Sequence, residues 1–67
     1  MRKYLVVVEK AEHNFAGYIP DVPGCVSSGA TPEETLRNMR EVLALHFQDL
    51  PEDEVPEPTT SADYVAI

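Results

Sequence analysis

Three short strand-like runs come first in the chain, and a longer amphipathic segment follows them. Residues 3–10 are rich in Val, Leu and Tyr without helical spacing, which predicts a strand. Residues 15–20 and 25–29 predict two further short strands, and the polar break after the first run has the length of a hairpin turn. In the first run Tyr4 and Val6 alternate with Leu5 and Val7, so both faces are apolar. This pattern is typical of a central strand that is covered on both sides.

A turn is predicted between the second and third runs. Pro20 and Pro23 each fix their own φ and push the preceding residue towards extended geometry, while Gly24 can adopt a positive φ. We expect Asp21 to accept a backbone hydrogen bond within this turn, which is a structural role and not an acid–base one. Cys25 has no cation near it in the sequence, so we expect a small buried apolar residue and not a nucleophile.

The strongest local signal is a helix start. Thr31 is suited to the N-cap, Pro32 to the first helical position and Glu34 to the capping box. We expect the helix to cover residues 32–50, because Pro51 cannot continue it.

The apolar residues of this helix fall mainly in one stripe, which predicts the side that packs on the sheet. The stripe consists of Leu36, Met39, Leu43, Phe47 and Leu50. Val42 and Leu45 fall off the stripe, on the side that a monomer would expose. They are candidates for a subunit or partner contact, although scattered apolar residues are also normal on a surface.

An acidic, proline-rich linker over residues 51–61 follows the helix, and residues 62–67 predict a last short strand. Such a charge run is usually a solvated connection, but Glu52, Asp53 and Glu54 are candidate contacts for a basic partner. The predicted fold class is α+β, with the order β-β-β-α-β in a single domain over residues 1–67. A right-handed crossover places the last strand parallel to the first, which gives a mainly antiparallel sheet of order 3-2-1-4 with one helix on one face.

The composition excludes several kinds of protein. A core of this size rarely supplies more than about 3–5 kcal/mol, and a single Cys cannot form an intramolecular disulfide, so we expect a dimer or tetramer. No Cys/His spacing predicts a metal site, and nothing predicts a cofactor. The net charge of −7 disfavours nucleic acid and favours a basic protein partner. No run is long enough to span a membrane, so we expect a cytoplasmic protein.

Several motifs together resemble the HicB antitoxin family. They are Tyr4 with Glu9 and residues 18–25, 28–34, 36–38 and 41–43. The specific feature is the spacing between the Pro-Asp-x-Pro-Gly turn and the capping box. The resemblance implies a partial RNase-H-like fold and a protein that binds and neutralises HicA, a small basic toxin that cleaves mRNA. Many family members continue into a DNA-binding segment, but no such segment follows Ile67, so we expect no direct DNA binding by this chain.

Two alternative functions stay open at this point. A stand-alone homo-oligomeric scaffold or binding domain without a toxin would fit the same fold. A metal-dependent nuclease would need carboxylates, of which Glu9, Glu34, Glu41 and Asp63 are the candidates. Because Glu34 already serves the helix cap and Glu41 a helical ion pair, we expect no catalytic residues and no enzyme.

Overall fold

The computed structural model describes residues 2–67, and it contains a three-stranded sheet with one long helix. The strands are β1 (Val7–Lys10), β2 (Phe15–Tyr18) and β3 (Val26–Gly29). They are followed by helix α1 (Pro32–Phe47) and by a single 3₁₀ turn, Glu52–Glu54. The α+β class and the three-strand antiparallel meander are therefore confirmed.

The register of the sheet separates its two faces. Val7, Tyr18 and Val26 are direct cross-strand partners, and so are Val8, Gly17 and Ser27. A Cβ built on Gly17 would lie 3.0 Å from the Thr35 methyl group, so the Gly17 row faces α1. Because successive side chains point to opposite faces, Val7, Tyr18 and Val26 form a row on the other side of the sheet, which we call the open face.

The strands are shorter than predicted at their outer ends. The first strand begins at Val7 and not at residue 3, and the second ends at Tyr18 and not at residue 20. Val22 N donates to Ile19 O at 3.1 Å, so the chain already turns there. Beyond Tyr18, β2 has no residue left to pair with residues 3–6.

Helix α1 begins as predicted and ends earlier than predicted. Thr31 Oγ1 accepts a hydrogen bond from Glu34 N at 3.1 Å, and Pro32 occupies the first turn. Glu34 Oε1 accepts from Ala30 N at 2.8 Å, one residue before the N-cap. At the other end Gln48 N donates to Leu45 O, an i→i−3 bond that tightens the last turn, so the helix ends at Phe47 and not at Leu50.

The core lies between the helix and the sheet. Ile19, Val22, Cys25 and Met39 are buried, and Tyr4, Val6, Val42, Leu43 and Phe47 pack against them. The prediction that Val42 lies on the exposed side was wrong, because the apolar face of α1 is wider than the narrow stripe and Val42 is one turn from Met39. Leu36 was predicted to be in the core, yet 39% of it is exposed.

No fourth strand is formed in residues 2–67. Residues 62–67, which we call the arm, have no regular secondary structure, and the sheet order is β1-β2-β3. The alternating side chains of the arm predicted a strand, but the arm does not form one in the single chain. As a result, one edge of β1 has no neighbouring strand in the described residues.

Candidate partner-binding surface

The five residues predicted as partner contacts lie at the carboxyl end of α1 and just beyond it. Leu45 is 71% exposed, whereas Val42 is half-buried in the core. The 3₁₀ turn then presents Glu52, Asp53 and Glu54 to solvent. Leu45 is thus the apolar member of this group that a partner can reach in a single chain, and the contact role of all five remains a prediction.

The charges of this turn are unequally neutralised. Arg2 donates to Glu52 at 3.0 Å and to Glu57 at 3.2 Å. Hydrogen bonds to Glu57 and Glu52 raise the pKa of Arg2 above its usual value. Among residues 2–67, no cationic group lies within 4.0 Å of Asp53 or Glu54. The two carboxylates are therefore available to a basic partner.

In the Pro-Asp-x-Pro-Gly turn, Gly24 has the positive φ that the sequence predicted. Gly24 has a φ of 91°, and Cys25 N donates to Val22 O at 3.3 Å. Pro20 and Pro23 flank this turn at exposed positions. Burial raises the pKa of the Cys25 thiol, which keeps it protonated and unreactive.

Asp21 has a role that differs from the predicted one. Its carboxylate accepts from Thr59 N at 2.8 Å and Thr60 N at 2.9 Å, and also from both hydroxyl groups at 2.9 and 2.7 Å. These bonds, those from Thr60 first, lower the pKa of Asp21 to about 2, because they stabilise the ionised form. Asp21 therefore fastens the linker to the turn across 38 residues of chain.

Two partners of this clamp carried only a weak signal in the sequence. Thr59 and Thr60 stand at the end of the proline-rich linker, where adjacent hydroxyl side chains offer four donors together with their backbone amides. The sequence did not indicate that these threonines bind Asp21, because 38 residues of chain separate Asp21 from Thr59. Tyr4 adds a second tether, since its hydroxyl donates to Pro56 O.

A second, basic region lies beside β1 on the helix side of the sheet. A groove of about 560 Å³ is lined by the apolar side chains Tyr4, Val6 and Leu43 and by the cations Arg2, Lys3 and Arg40. Of the five basic residues in an otherwise acidic chain, three border this one groove. Lys3 and Arg40 have no carboxylate within 4.0 Å among residues 2–67.

The carboxylates that a nuclease would need are not assembled. Within residues 2–67, no group of three or more His, Cys, Asp or Glu side chains is arranged to hold a metal ion. Glu34 is engaged in the helix cap, where it also lies 3.9 Å from Arg37. In the same part of the chain, α1 is too short and too polar to count as a membrane-crossing helix.

Comparison with known proteins settles the family. The model of the HicB-like antitoxin of bacterial toxin–antitoxin systems matches residues 4–66. The chain belongs to the HicB-like antitoxin family. The match covers the turn, the cap, the helix and all of the arm except Ile67, and it confirms the resemblance drawn from the sequence.

Three relatives show how far the likeness extends. A UPF0150 protein of Helicobacter pylori is 43% identical over 49 residues, which is 73% of this chain and 68% of that protein. A UPF0150 protein of Thermoplasma acidophilum is 27% identical over 97% of this chain and 96% of its own length. An uncharacterized 14.9 kDa protein of Haemophilus phage HP1 is 33% identical over 92% of this chain, which spans about half of that protein. No solved structure matches the chain significantly.

Proposed function

We propose that this HicB-like protein acts as a non-enzymatic antitoxin, which binds and neutralises a small basic mRNA-cleaving toxin of the HicA type. The observation that carries the proposal is the family match over residues 4–66. The net charge of −7 supports it, since an acidic protein attracts a basic partner and accelerates their encounter. Such a pair would meet in the cytoplasm, where the toxin finds its RNA.

The contact surface that we assign to the toxin is the exposed end of α1 with the turn that follows it. Leu45 supplies an apolar anchor and Asp53 with Glu54 supply unneutralised carboxylates. An apolar centre with a charged rim is the usual anatomy of a specific interface. Glu52 contributes less, because Arg2 already neutralises it.

The fold that accompanies this function is a partial RNase-H-like sheet of order 3-2-1-4. The free edge of β1 is the position that a fourth strand would take, and the arm has the alternating pattern for it. We infer that the complete sheet forms only when this edge is occupied.

A binding measurement with the candidate toxin tests the function. The partner is the product of a neighbouring reading frame that encodes a short basic protein, and affinity is measured by calorimetry at about 50 mM salt. We expect Leu45→Asp to weaken binding at least tenfold, because it places a charge in the apolar centre of the contact. No complex with the unaltered chain at low salt would refute the antitoxin role.

A stand-alone homo-oligomeric scaffold is the second candidate. The exposed apolar side chains of the arm favour it, since Tyr64 is 99% and Val65 86% exposed. A chain that self-associates stably but binds no neighbouring gene product would support the scaffold role over the antitoxin role.

A further inference from the structure

The groove beside β1 is built from two segments that are distant along the chain. One wall is the segment that leads into β1, whose alternate residues Arg2, Tyr4 and Val6 line the groove together with Lys3. The other wall is one face of α1, with lining residues at the i, i+3, i+4 and i+7 positions: Leu36, Met39, Arg40 and Leu43. The volume of about 560 Å³ lies within the range of sites that hold small molecules, about 300–1,000 Å³.

The floor of the groove is core surface that the fold leaves partly uncovered. Met39 is only 2% exposed, whereas Tyr4, Val6 and Leu43 are half-buried. Leu36 belongs to the helix stripe that was predicted to pack on the sheet, and yet 39% of it is exposed. An apolar body placed in the groove would therefore continue the packing of the core.

The wall at the start of the chain is already held in place. The Tyr4 hydroxyl donates to Pro56 O, and the Tyr4 ring lies 5.6 Å from the Phe47 ring, measured between centroids. Arg2 is fixed beside it by its ion pairs with two glutamates of the linker. Because this wall is preformed, a ligand loses little affinity to the ordering of protein side chains.

The rim of the groove carries charge of the opposite sign to the chain as a whole. The net charge is −7, but the groove is lined by three cations and by no acidic side chain among residues 2–67. Since Arg2 is already neutralised, Lys3 and Arg40 are the two cations left to bind an anion. Both side chains form strong, charge-assisted hydrogen bonds with carboxylates. The complement of this surface is a molecule with an apolar body and one acidic head.

We propose that the groove beside β1 is a binding site for a small amphipathic carboxylate, such as a medium-chain fatty acid. The carboxylate binds Lys3 and Arg40, and the hydrocarbon chain lies along Tyr4, Leu36 and Leu43. The site goes beyond the antitoxin role and does not depend on it, because the surface assigned to the toxin lies outside the groove. A free molecule suits the site better than an anionic membrane, which would repel a chain of charge −7.

A homologous series of ligands tests the two halves of the site. The full 67-residue chain is titrated near pH 7 with hexanoate, octanoate and decanoate, and binding is followed by calorimetry and by amide chemical shifts. We expect affinity to rise by up to about fourfold for each added methylene, because the hydrocarbon is buried. Octanol, which lacks the charge, should bind at least tenfold more weakly than octanoate. The shifts should concentrate in residues 2–6 and 36–43.

A pair of arginine variants tests the location of the head group. We expect Arg40→Gln to weaken octanoate binding at least fivefold and to leave octanol binding unchanged. Arg37→Gln is the matched control, because it removes the same charge from an exposed position of the same helix that does not line the groove. Arg40 is itself exposed, so its variant should fold, and unchanged urea unfolding would confirm this.

Four results would overturn the proposal. They are no binding of any of the three carboxylates, equal affinities for octanoate and octanol, equal losses in the two arginine variants, and shifts centred outside the groove. Vesicles of phosphatidylglycerol form a separate arm of the experiment, in which we expect no binding. Binding to such vesicles without binding of free octanoate would identify a membrane surface as the occupant and would refute a small-molecule site.

Discussion

At the residue scale, Thr35 lies so close to Gly17 and Gly29 that neither position has room for a side chain. Thr35 is fully buried, and its hydroxyl donates to Thr31 O at 2.8 Å. A Cβ on Gly29 would lie 2.8 Å from Thr35 N, and one on Gly17 would lie 3.0 Å from the Thr35 methyl group. The nearest neighbour of Gly17 is thus a side chain, whereas Gly29 lies directly against the backbone of the helix.

Replacing Gly29 tests this contact. We expect Gly29→Ala to lower the free energy of unfolding by about 1–3 kcal/mol, because the added methyl group meets rigid backbone. Urea unfolding followed by circular dichroism measures the change. Ser28→Ala, at the exposed neighbouring position of β3, is the control. An equal loss in the two variants would contradict the steric explanation.

The Asp21 clamp predicts a dependence on pH. The pKa of Asp21 in the folded chain is about 2, below the usual value of about 3.9 for an unfolded chain. The ionised carboxylate therefore stabilises the fold above about pH 4, and this contribution is lost as the pH falls through about 2. We expect Asp21→Asn to be less stable than the unaltered chain at pH 7, and the difference to disappear near pH 2.

Urea midpoints of the two proteins at pH 7, 4 and 2 measure that difference. Glu12→Gln serves as a control, because Glu12 is an exposed acid that lies 3.5 Å from the side chain of the exposed His13 and takes no part in the clamp. A deficit of Asp21→Asn that stays constant from pH 7 to pH 2 would argue against an ionic clamp.

At the element scale, the helix was predictable at its start and the sheet in its antiparallel pairing of three consecutive strands. The cap of α1 depends on residues within one turn, so Thr31 and Glu34 marked it reliably. The end was less predictable because Pro51 sets only an outer limit, while i→i−3 bonds close the helix at Phe47. Likewise, strand length depends on the available partner residues and not on the apolar run alone.

Removing the N-cap hydroxyl should lower the free energy of unfolding by a measurable amount. We expect Thr31→Ala to destabilise the fold by about 1 kcal/mol, because Glu34 N loses its acceptor. Thr31→Ser keeps the hydroxyl group and should retain most of the stability in the same urea titration. If the serine variant loses as much as the alanine variant, the hydroxyl is not the stabilising group.

At the scale of the whole molecule, the contact surfaces divide into two regions with opposite charge. The end of α1 presents Leu45 with free carboxylates, and the groove beside β1 presents Lys3 and Arg40. We assign the first to a basic toxin. The family assignment was predictable from the sequence, because turn and cap motifs stand at a characteristic spacing. These surfaces were not predictable, since they combine residues from distant parts of the chain.

Salt should weaken the toxin complex. We expect the double variant Asp53→Asn with Glu54→Gln to bind at least tenfold more weakly than the unaltered chain at low salt. The two affinities should converge near 1 M salt, where the screening length falls to about 3 Å. Glu12→Gln with Glu33→Gln removes the same charge from exposed positions elsewhere and should change binding less. Equal effects of both pairs would indicate attraction by net charge alone.

The homo-oligomer that the scaffold role requires should make thermal stability depend on protein concentration. We expect the melting temperature to rise between about 10 μM and 1 mM, because association stabilises the folded state by mass action. Val65→Asp should melt at a temperature that does not change with concentration. A concentration-independent midpoint for the unaltered chain would count against a dimer.

The amino-acid sequence by itself determined the features that depend on neighbouring residues: the three strands, the Pro-Asp-x-Pro-Gly turn, the capped helix start and the family. Only the tertiary structure decided that Asp21 holds Thr59 and Thr60, that Val42 belongs to the core, and that the arm lies uncovered beside β1. The physical reason is the distance along the chain between the residues that interact. Local patterns record the conformations of nearby residues, whereas hydrogen bonds across 38 residues and strand pairing depend on which surfaces the folded chain brings together.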